Sequence, residues 1–243
     1  GDTDTSAALF DFSFVWNVDM EVEAEIREQI DSIEYPADEC RILIFTSGTT
    51  GSSKGVCLSQ ANVLANIQST CQIVEITPQD TTLSLLPLHH TYECTLNHMI
   101  LLSRGATITY CGGLTKIPKN LHEYQPTLLV VVPAVLEMLE RRIRKTVGQS
   151  VPKMYQKHFD GHSFAYAMAK LPFFIRAIVR KKVRQELGGR LKLFIVGAAA
   201  VEPELIDSFN LLGIRTLQGY GLTECSPLVA GNCDFYMNVY SPG

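Results

Sequence analysis

Short apolar runs alternate with stretches of helical periodicity from residue 41 to residue 218, and this alternation limits the fold more than any other feature. Residues 41–46, 82–86, 106–110, 127–132, 191–196 and 215–218 read as strands, with 127–132 buried. Residues 59–74, 96–103, 134–147, 173–187 and 202–212 read as helices, and 121–124 as the end of a short one. The punctuation agrees. Ser59 can cap the first helix, Gly105 stops the second, Gly188-Gly189 ends the long basic one, and Pro203 suits a first helical turn. Helices interleaved with short strands imply an α/β fold, a mostly parallel sheet flanked by helices. At 243 residues and 46% apolar composition the core is ample, for one large domain or two small ones.

Charge is uneven. Residues 1–40 hold twelve acids and one base, Arg27, whereas 141–192 hold fourteen bases and two acids, Asp160 and Glu186. The basic stretch has two readings: a solvated helical face, or a surface against anionic lipid headgroups. The acidic N-terminus does not read as a signal peptide, and no apolar run approaches the ~18–20 residues of a membrane span. Seven cysteines without C-x-x-C spacing read as free, buried or half-buried thiols of a reducing compartment. Together these indicate a cytoplasmic protein, with peripheral membrane contact as the variant reading.

The strand candidate 41–46 runs into Thr46-Ser47-Gly48-Thr49-Thr50-Gly51-Ser52-Ser53-Lys54-Gly55. Three glycines let the backbone approach a ligand closely, hydroxyls and N–H groups offer donors, and Lys54 adds a mobile positive charge. This combination suits a polyphosphate. The Walker pattern fails, because Lys54 is followed by Gly55 and not by Ser or Thr. A flexible Gly/Ser-rich surface loop is the plainer alternative.

A second cluster, Gln218-Gly219-Tyr220-Gly221-Leu222-Thr223-Glu224-Cys225, follows the last strand candidate. Ligands of parallel sheets collect at the carboxyl ends of strands. Tyr220 offers a ring for a flat heterocycle, and Glu224 beside the hydroxyl of Thr223 suits a Mg²⁺ that also bridges phosphates. Alone, Gly-Tyr-Gly reads equally well as a turn. Cys225 has no histidine partner and reads as a small packed residue. His89, His90 and His98 lack a further ligand at metal spacing.

Taken together, the two motifs resemble those of the adenylate-forming superfamily: acyl-CoA synthetases, luciferases and the adenylation domains of peptide synthetases. Two further segments carry the resemblance. Leu86-Pro87-Leu88-His89-His90-Thr91-Tyr92-Glu93 looks like that superfamily's Leu-Pro-Leu-x-His-x-x-Glu, and residues 197–205 look like its Gly-Gly-Ala-Pro-Leu-x-Pro-Glu-Leu. Glu93, a strand-Val-Pro-helix unit at 130–139 and Leu187-Gly-Gly-Arg-Leu191 are similar to long-chain fatty acyl-CoA synthetases.

The resemblance implies a partial adenylate-forming N-terminal domain over 41–243, led by an acidic segment, 1–40, from the preceding subdomain. The C-terminal domain is absent, and so is the downstream Thr-Gly-Asp. It implies ATP-dependent activation of a fatty acid to acyl-adenylate, then a thioester with coenzyme A. Thr46, Ser47, Gly48, Thr49, Thr50, Gly51 and Lys54 would hold the β- and γ-phosphates of ATP. Tyr220 would stack on adenine, with Gly197, Ala198 and Ala199 close by and Gln218, Gly219 and Gly221 completing the nucleotide set. Thr223 would touch the α-phosphate region, Glu224 would ligate Mg²⁺, and His90 would line the acyl and adenylate site. His90 without that context is a structural histidine.

The alanines at 198 and 200 stand where the superfamily has glycine and proline, changes expected to alter little. The expected partners are ATP, fatty acid and coenzyme A, with no nucleic acid, and with self-association through apolar faces left uncovered. Two rival readings stay open: a non-catalytic relative that binds nucleotide or a protein, and a ligase that loads a carrier-protein thiol.

Overall fold

The computed structural model describes residues 24–26, 28–29, 32, 36–47, 53–160, 162–233 and 235–243. Residues 1–37 and 38–243 form two compact units, and the elements below belong to the second.

Strands β1 (Cys40–Ser47) and β2 (Ser53–Ser59) make an antiparallel hairpin, with Thr46 opposite Lys54. Strands β3 (Thr81–Ser84), β4 (Thr107–Tyr110), β5 (Leu128–Val131), β6 (Leu193–Val196), β7 (Arg215–Gly221) and β8 (Leu228–Gly231) form one sheet in the order β4-β3-β5-β6-β7-β8. Neighbours from β4 to β7 are parallel, and β8 closes the edge antiparallel to β7.

All four residues of β5 are fully buried because helices cover both faces of the sheet. Leu129 and Val131 pack with Phe194 and Val196 under helices Pro133–Gly148, Phe173–Glu186 and Pro203–Leu211. Leu128 and Val130 pack with Leu193 and Leu217 on the other face, under helix Gln60–Ile73 and the helical stretch that starts at Tyr92. The period of two along each strand therefore divides one sheet between two cores.

Local chemistry explains the helix ends. Ser59 accepts from the Asn62 amide at 3.2 Å while the Asn62 side chain accepts from the Ser59 amide at 3.0 Å, a reciprocal capping box. Helix Phe173–Glu186 ends in a Schellman turn: the Gly189 amide donates to Arg184 at 2.7 Å and the Gly188 amide to Gln185 at 3.0 Å.

Three features depart from the sequence expectations. The stretch from Tyr92 to Met99 is π-helical, and only Ile100–Ser103 continues as α-helix. Residues 53–58, given no strand in the sequence reading, form a strand with Ser59, because the hairpin supplies a partner that composition does not reveal. The cysteines are more accessible than expected: Cys40, Cys57 and Cys225 are exposed and the other four half-buried. Two lie on the outward positions of a two-stranded ribbon and Cys225 on the corner after β7, so Cys225 is not a packed residue.

The amino ends of the parallel strands are tied together by Asp80. Its carboxylate accepts from Lys192 Nζ at 2.8 Å, from the Thr127 hydroxyl at 2.7 Å, and from the Thr77 amide at 2.9 Å. Burial works to raise its pKa, but these bonds outweigh burial and hold it at about 2. A carboxyl depressed below its ordinary ~3.9 stabilises the fold above about pH 4 and loses that contribution as pH falls toward 2. Asp80→Asn is expected to cost about 1–2 kcal/mol at pH 7 and almost nothing at pH 2. Urea unfolding at both pH values checks this, and equal losses at the two would contradict it.

Candidate functional site

The carboxyl ends of β5, β6 and β7 open onto a cleft of about 760 Å³, where ligands of parallel sheets gather. Its walls come from four places. The β1–β2 hairpin contributes Thr46 and Lys54, and the loop after β3 contributes Leu86, Pro87, His90 and Thr91. Ala198 enters after β6, and Gly219, Tyr220, Gly221, Leu222, Thr223 and Glu224 follow from the end of β7. Two motifs about 170 residues apart in sequence therefore share one cleft.

Lys54 and Glu224 are exposed, and the Lys54 side chain makes no hydrogen bond or ion pair among the described residues. His90 is also exposed, its ring 4.4 Å from that of His89, and its amide donates to Pro87 at 3.1 Å to close a tight turn. Tyr220 is 49% exposed. It borders a second opening of about 560 Å³ on its other side, lined by Ala199, Gln218 and Tyr240 among others. A ring between two openings is a platform with both faces accessible.

The remaining candidates fall differently. Gly197 is buried behind the cleft. A Cβ there would lie 3.1 Å from both the Tyr92 ring and the Gly219 carbonyl, so the close approach is to the protein itself. The Tyr92 hydroxyl lies 3.2 Å and 3.1 Å from the carbonyls of Val131 and Ile195, bridging β5 and β6. Burial, reinforced by the charge of Glu93, pushes that phenol well above its ordinary pKa, so it stays a donor. Ala198 has φ 68°, in the left-handed region where glycine is unstrained and alanine costs about 1 kcal/mol. The alanine is therefore not neutral for the backbone, contrary to the sequence expectation. Ser47 lies on β1, and Gly48, Thr49, Thr50 and Gly51 lie outside the described residues.

Sequence reasoning missed Asn66. This buried residue of helix Gln60–Ile73 donates to the carbonyls of Cys225 at 3.0 Å and Leu228 at 2.8 Å, and accepts from the Leu228 amide at 3.3 Å. It thereby clamps the Thr223–Glu224 corner to the helix that follows the lysine-bearing hairpin. Its polarity beside Val63 and Ile67 on the buried helix face, which also carries Thr70, was the one available signal. Asn66→Ala should cost about 2–3 kcal/mol, because three backbone groups lose their partners at once. Denaturant unfolding checks this, and an unchanged midpoint would contradict the clamp.

Glu224 with the neighbouring Thr223 hydroxyl is a donor set for a hard cation held chiefly by phosphate oxygens; no cluster of three metal-ligating side chains occurs among the described residues.

A mostly parallel α/β domain with a strand-end cleft, walled by an exposed lysine and by a tyrosine–glutamate corner, defines a nucleotide-binding class of enzyme domain. The model of the AMP-binding enzyme family matches residues 5–242, and the chain belongs to that family. It is 31% identical over 208 residues to long-chain-fatty-acid–CoA ligase 1 of Homo sapiens, covering 81% of this chain and 29% of that protein. To the peroxisomal long chain acyl-CoA synthetase 6 of Arabidopsis thaliana it is 30% identical over 201 residues, covering 80% and 28%. The chain thus spans less than a third of the length of these curated relatives.

Among solved structures, a long-chain-fatty-acid-CoA ligase from Archaeoglobus fulgidus superposes with TM-score 0.58 at 22% identity, over 82% of this chain and 35% of that one. The N-terminal domain of FACL13 from Mycobacterium tuberculosis gives 0.58 at 20% identity, over 87% and 45%. These likenesses establish the fold: that of the N-terminal domain of adenylate-forming enzymes. Among the described residues no helix is long and apolar enough to cross a membrane.

Proposed function

We propose that residues 41–243 form part of an ATP/AMP-binding domain that activates a fatty carboxylic acid as its adenylate and passes the acyl group to coenzyme A. The acidic segment 1–40 is read as belonging to the preceding subdomain. The observation that carries this reading is the meeting of Lys54 with the Tyr220–Glu224 corner in one cleft.

In the first step a carboxylate oxygen attacks the α-phosphorus of ATP. The bond from that phosphorus to the bridging oxygen breaks, and pyrophosphate leaves. In the second, the thiol sulfur attacks the acyl carbonyl, the carbon–oxygen bond to AMP breaks, and the thiol proton is lost. Both first-step reactants are anions, so their approach needs positive charge. Lys54, with the hydroxyls of Thr46 and Ser47 and with Gly48, Thr49, Thr50 and Gly51, is assigned the β- and γ-phosphates. Tyr220 stacks on adenine, with Ala198, Ala199, Gln218, Gly219 and Gly221 framing it and Gly197 behind. Thr223 hydrogen-bonds the α-phosphate, and His90 faces the reacting carboxylate. Glu224 would hold Mg²⁺, which neutralises phosphate charge when bound. The rest is positioning.

ATP–pyrophosphate exchange with a panel of carboxylic acids, run on the full-length protein, tests the reading. Exchange that depends on a long-chain acid supports it, and no exchange with any acid overturns it. A fatty substrate dissolves in membranes, so the reading extends to peripheral contact through 141–192. Helix Phe173–Glu186 exposes Phe173, Phe174 and Ile178 at 78%, 63% and 61%, with Arg180, Lys181 and Arg184 further along. Salt-sensitive co-sedimentation with anionic vesicles is the expected outcome; sedimentation indifferent to lipid charge would remove that extension. The same exposed apolar groups favour self-association, which sedimentation velocity would reveal.

A further inference from the structure

Loop 85–92, which runs from β3 through Tyr92, the first residue of the π-helix, brings Leu86, Pro87, His90 and Thr91 to the cleft. The residues at its two ends are bonded to each other. The hydroxyl of Ser84, the last residue of β3, donates to Glu93 Oε1 at 2.5 Å. One turn further, Asn97 Nδ2 donates to the same oxygen at 2.7 Å. Ser84, Glu93 and Asn97 are 6%, 0% and 0% exposed.

The other carboxyl oxygen, Oε2, is buried without a hydrogen-bond partner among the described residues, and Asn97 Oδ1 shares that condition. No lysine or arginine pairs with Glu93 among the described residues. The nearest basic group is His98, whose Nδ1 lies 3.9 Å from Oε1 and whose other ring nitrogen lies 3.2 Å from the Tyr110 hydroxyl. Burial raises the carboxyl's pKa, against the lowering effect of the Ser84 and Asn97 bonds and of His98. A fully buried acid with one oxygen doubly bonded and the other bare is costly, and a purely apolar residue of the same size would avoid the cost. What an apolar residue cannot do is hold the two ends of the loop together.

We propose that Glu93 is a positioning residue: with Ser84 it forms a clasp that closes loop 85–92 and sets where His90 stands in the cleft. Closing a loop at its base removes the freedom of everything it carries. The π-helical turn contributes to the same end. Asn97 reaches Oε1 from the turn that follows, while Tyr92, next to Glu93, is pinned to β5 and β6 through its hydroxyl. The loop is thus fastened to the sheet on one side and to the helix on the other, with His90 between. The consequence for catalysis rests on the adenylation reading; the position of His90 does not.

The test uses Glu93→Ala, Glu93→Gln and Ser84→Ala. An amide oxygen at 93 can still accept from Ser84 and Asn97, so glutamine should keep the clasp and alanine should open it. The first readout needs no substrate: the imidazole resonances of ¹³C-labelled His90. They should move in Glu93→Ala and Ser84→Ala and return to their wild-type positions in Glu93→Gln. The second is pyrophosphate exchange, where Glu93→Ala should raise KM for the carboxylic acid about tenfold and leave KM for ATP within about twofold. Resonances that stay put in folded Glu93→Ala or Ser84→Ala would overturn the clasp. So would a glutamine variant as perturbed as the alanine one. If Glu93→Ala does not fold, Ser84→Ala decides alone. Absence of exchange in the wild type would sink the adenylation reading, while the resonances would still judge the clasp.

Discussion

Replacing Lys54 by alanine is expected to lower ATP–pyrophosphate exchange by about 10²–10³-fold while leaving the fold intact. Both halves of the expectation have a structural basis. Lys54 is exposed on β2, opposite Thr46, and its side chain has no hydrogen-bond or ion-pair partner among the described residues, so its truncation removes no such bond among them. Yet it borders the cleft that Tyr220, Thr223 and Glu224 also border. A charge without an ion-pair partner among the described residues that borders a cleft is available to a ligand. Loss of one preorganised positive group aimed at phosphate is worth about 3–4 kcal/mol of transition-state stabilisation. The measurement is exchange rate at saturating ATP, beside a thermal melt. Near-normal exchange in a folded variant would refute the assigned role.

Replacing Gly188 by alanine should destabilise the protein by about 4 kcal/mol or more, a large effect for a single methyl group. Two costs combine. Gly188 has φ +88°, in the positive-φ region where alanine is strained. The added Cβ would stand 2.1 Å from the Leu121 carbonyl oxygen, and that oxygen is backbone, already bonded to the Gln125 amide at 3.1 Å. Neither partner can move without undoing a helix end. Gly189 is the internal control: its φ is similar, +89°, but nothing lies within 4 Å of its would-be Cβ. Gly189→Ala should therefore show the backbone strain alone, about 1–2 kcal/mol. Denaturant midpoints of the two variants decide, and equal losses would mean that the Leu121 contact yields freely.

How far the site was legible depended on whether a residue acts through its own type or through its neighbours. Lys54, Tyr220 and Glu224 stand out by residue type, a lysine among glycines and hydroxyls and a ring and carboxylate beside glycines, although Gly-Tyr-Gly alone reads equally well as a turn; the structure places all three on one cleft. Asn66, Ser84 and Glu93 act through partners distant in sequence or hidden by a turn. Asn66 reaches Cys225 and Leu228, 159 and 162 residues away. No spacing rule links such positions, because the contact exists only once the helix lies across the corner. Gly197 was legible as small but not for its reason, since the group that fills its space is Tyr92.

The α/β class, the strand positions of β1 and β3 to β7, the Ser59 cap and the Gly188-Gly189 stop follow from the sequence alone, because periodicity, capping and backbone freedom are local. The β1–β2 hairpin, the antiparallel β8 edge and the π-helical turn at Tyr92 were decided by the tertiary structure. A strand needs a partner, and a widened helical turn needs a neighbour such as Val131 or Ile195 to hold its side chains, and neither is local information. The convergence of Lys54 with Glu224 belongs to the same class. Glu224 follows the carboxyl end of β7 in the parallel sheet, whereas Lys54 stands on the separate β1–β2 hairpin, so their meeting depends on where the hairpin packs, which no short stretch of residues contains.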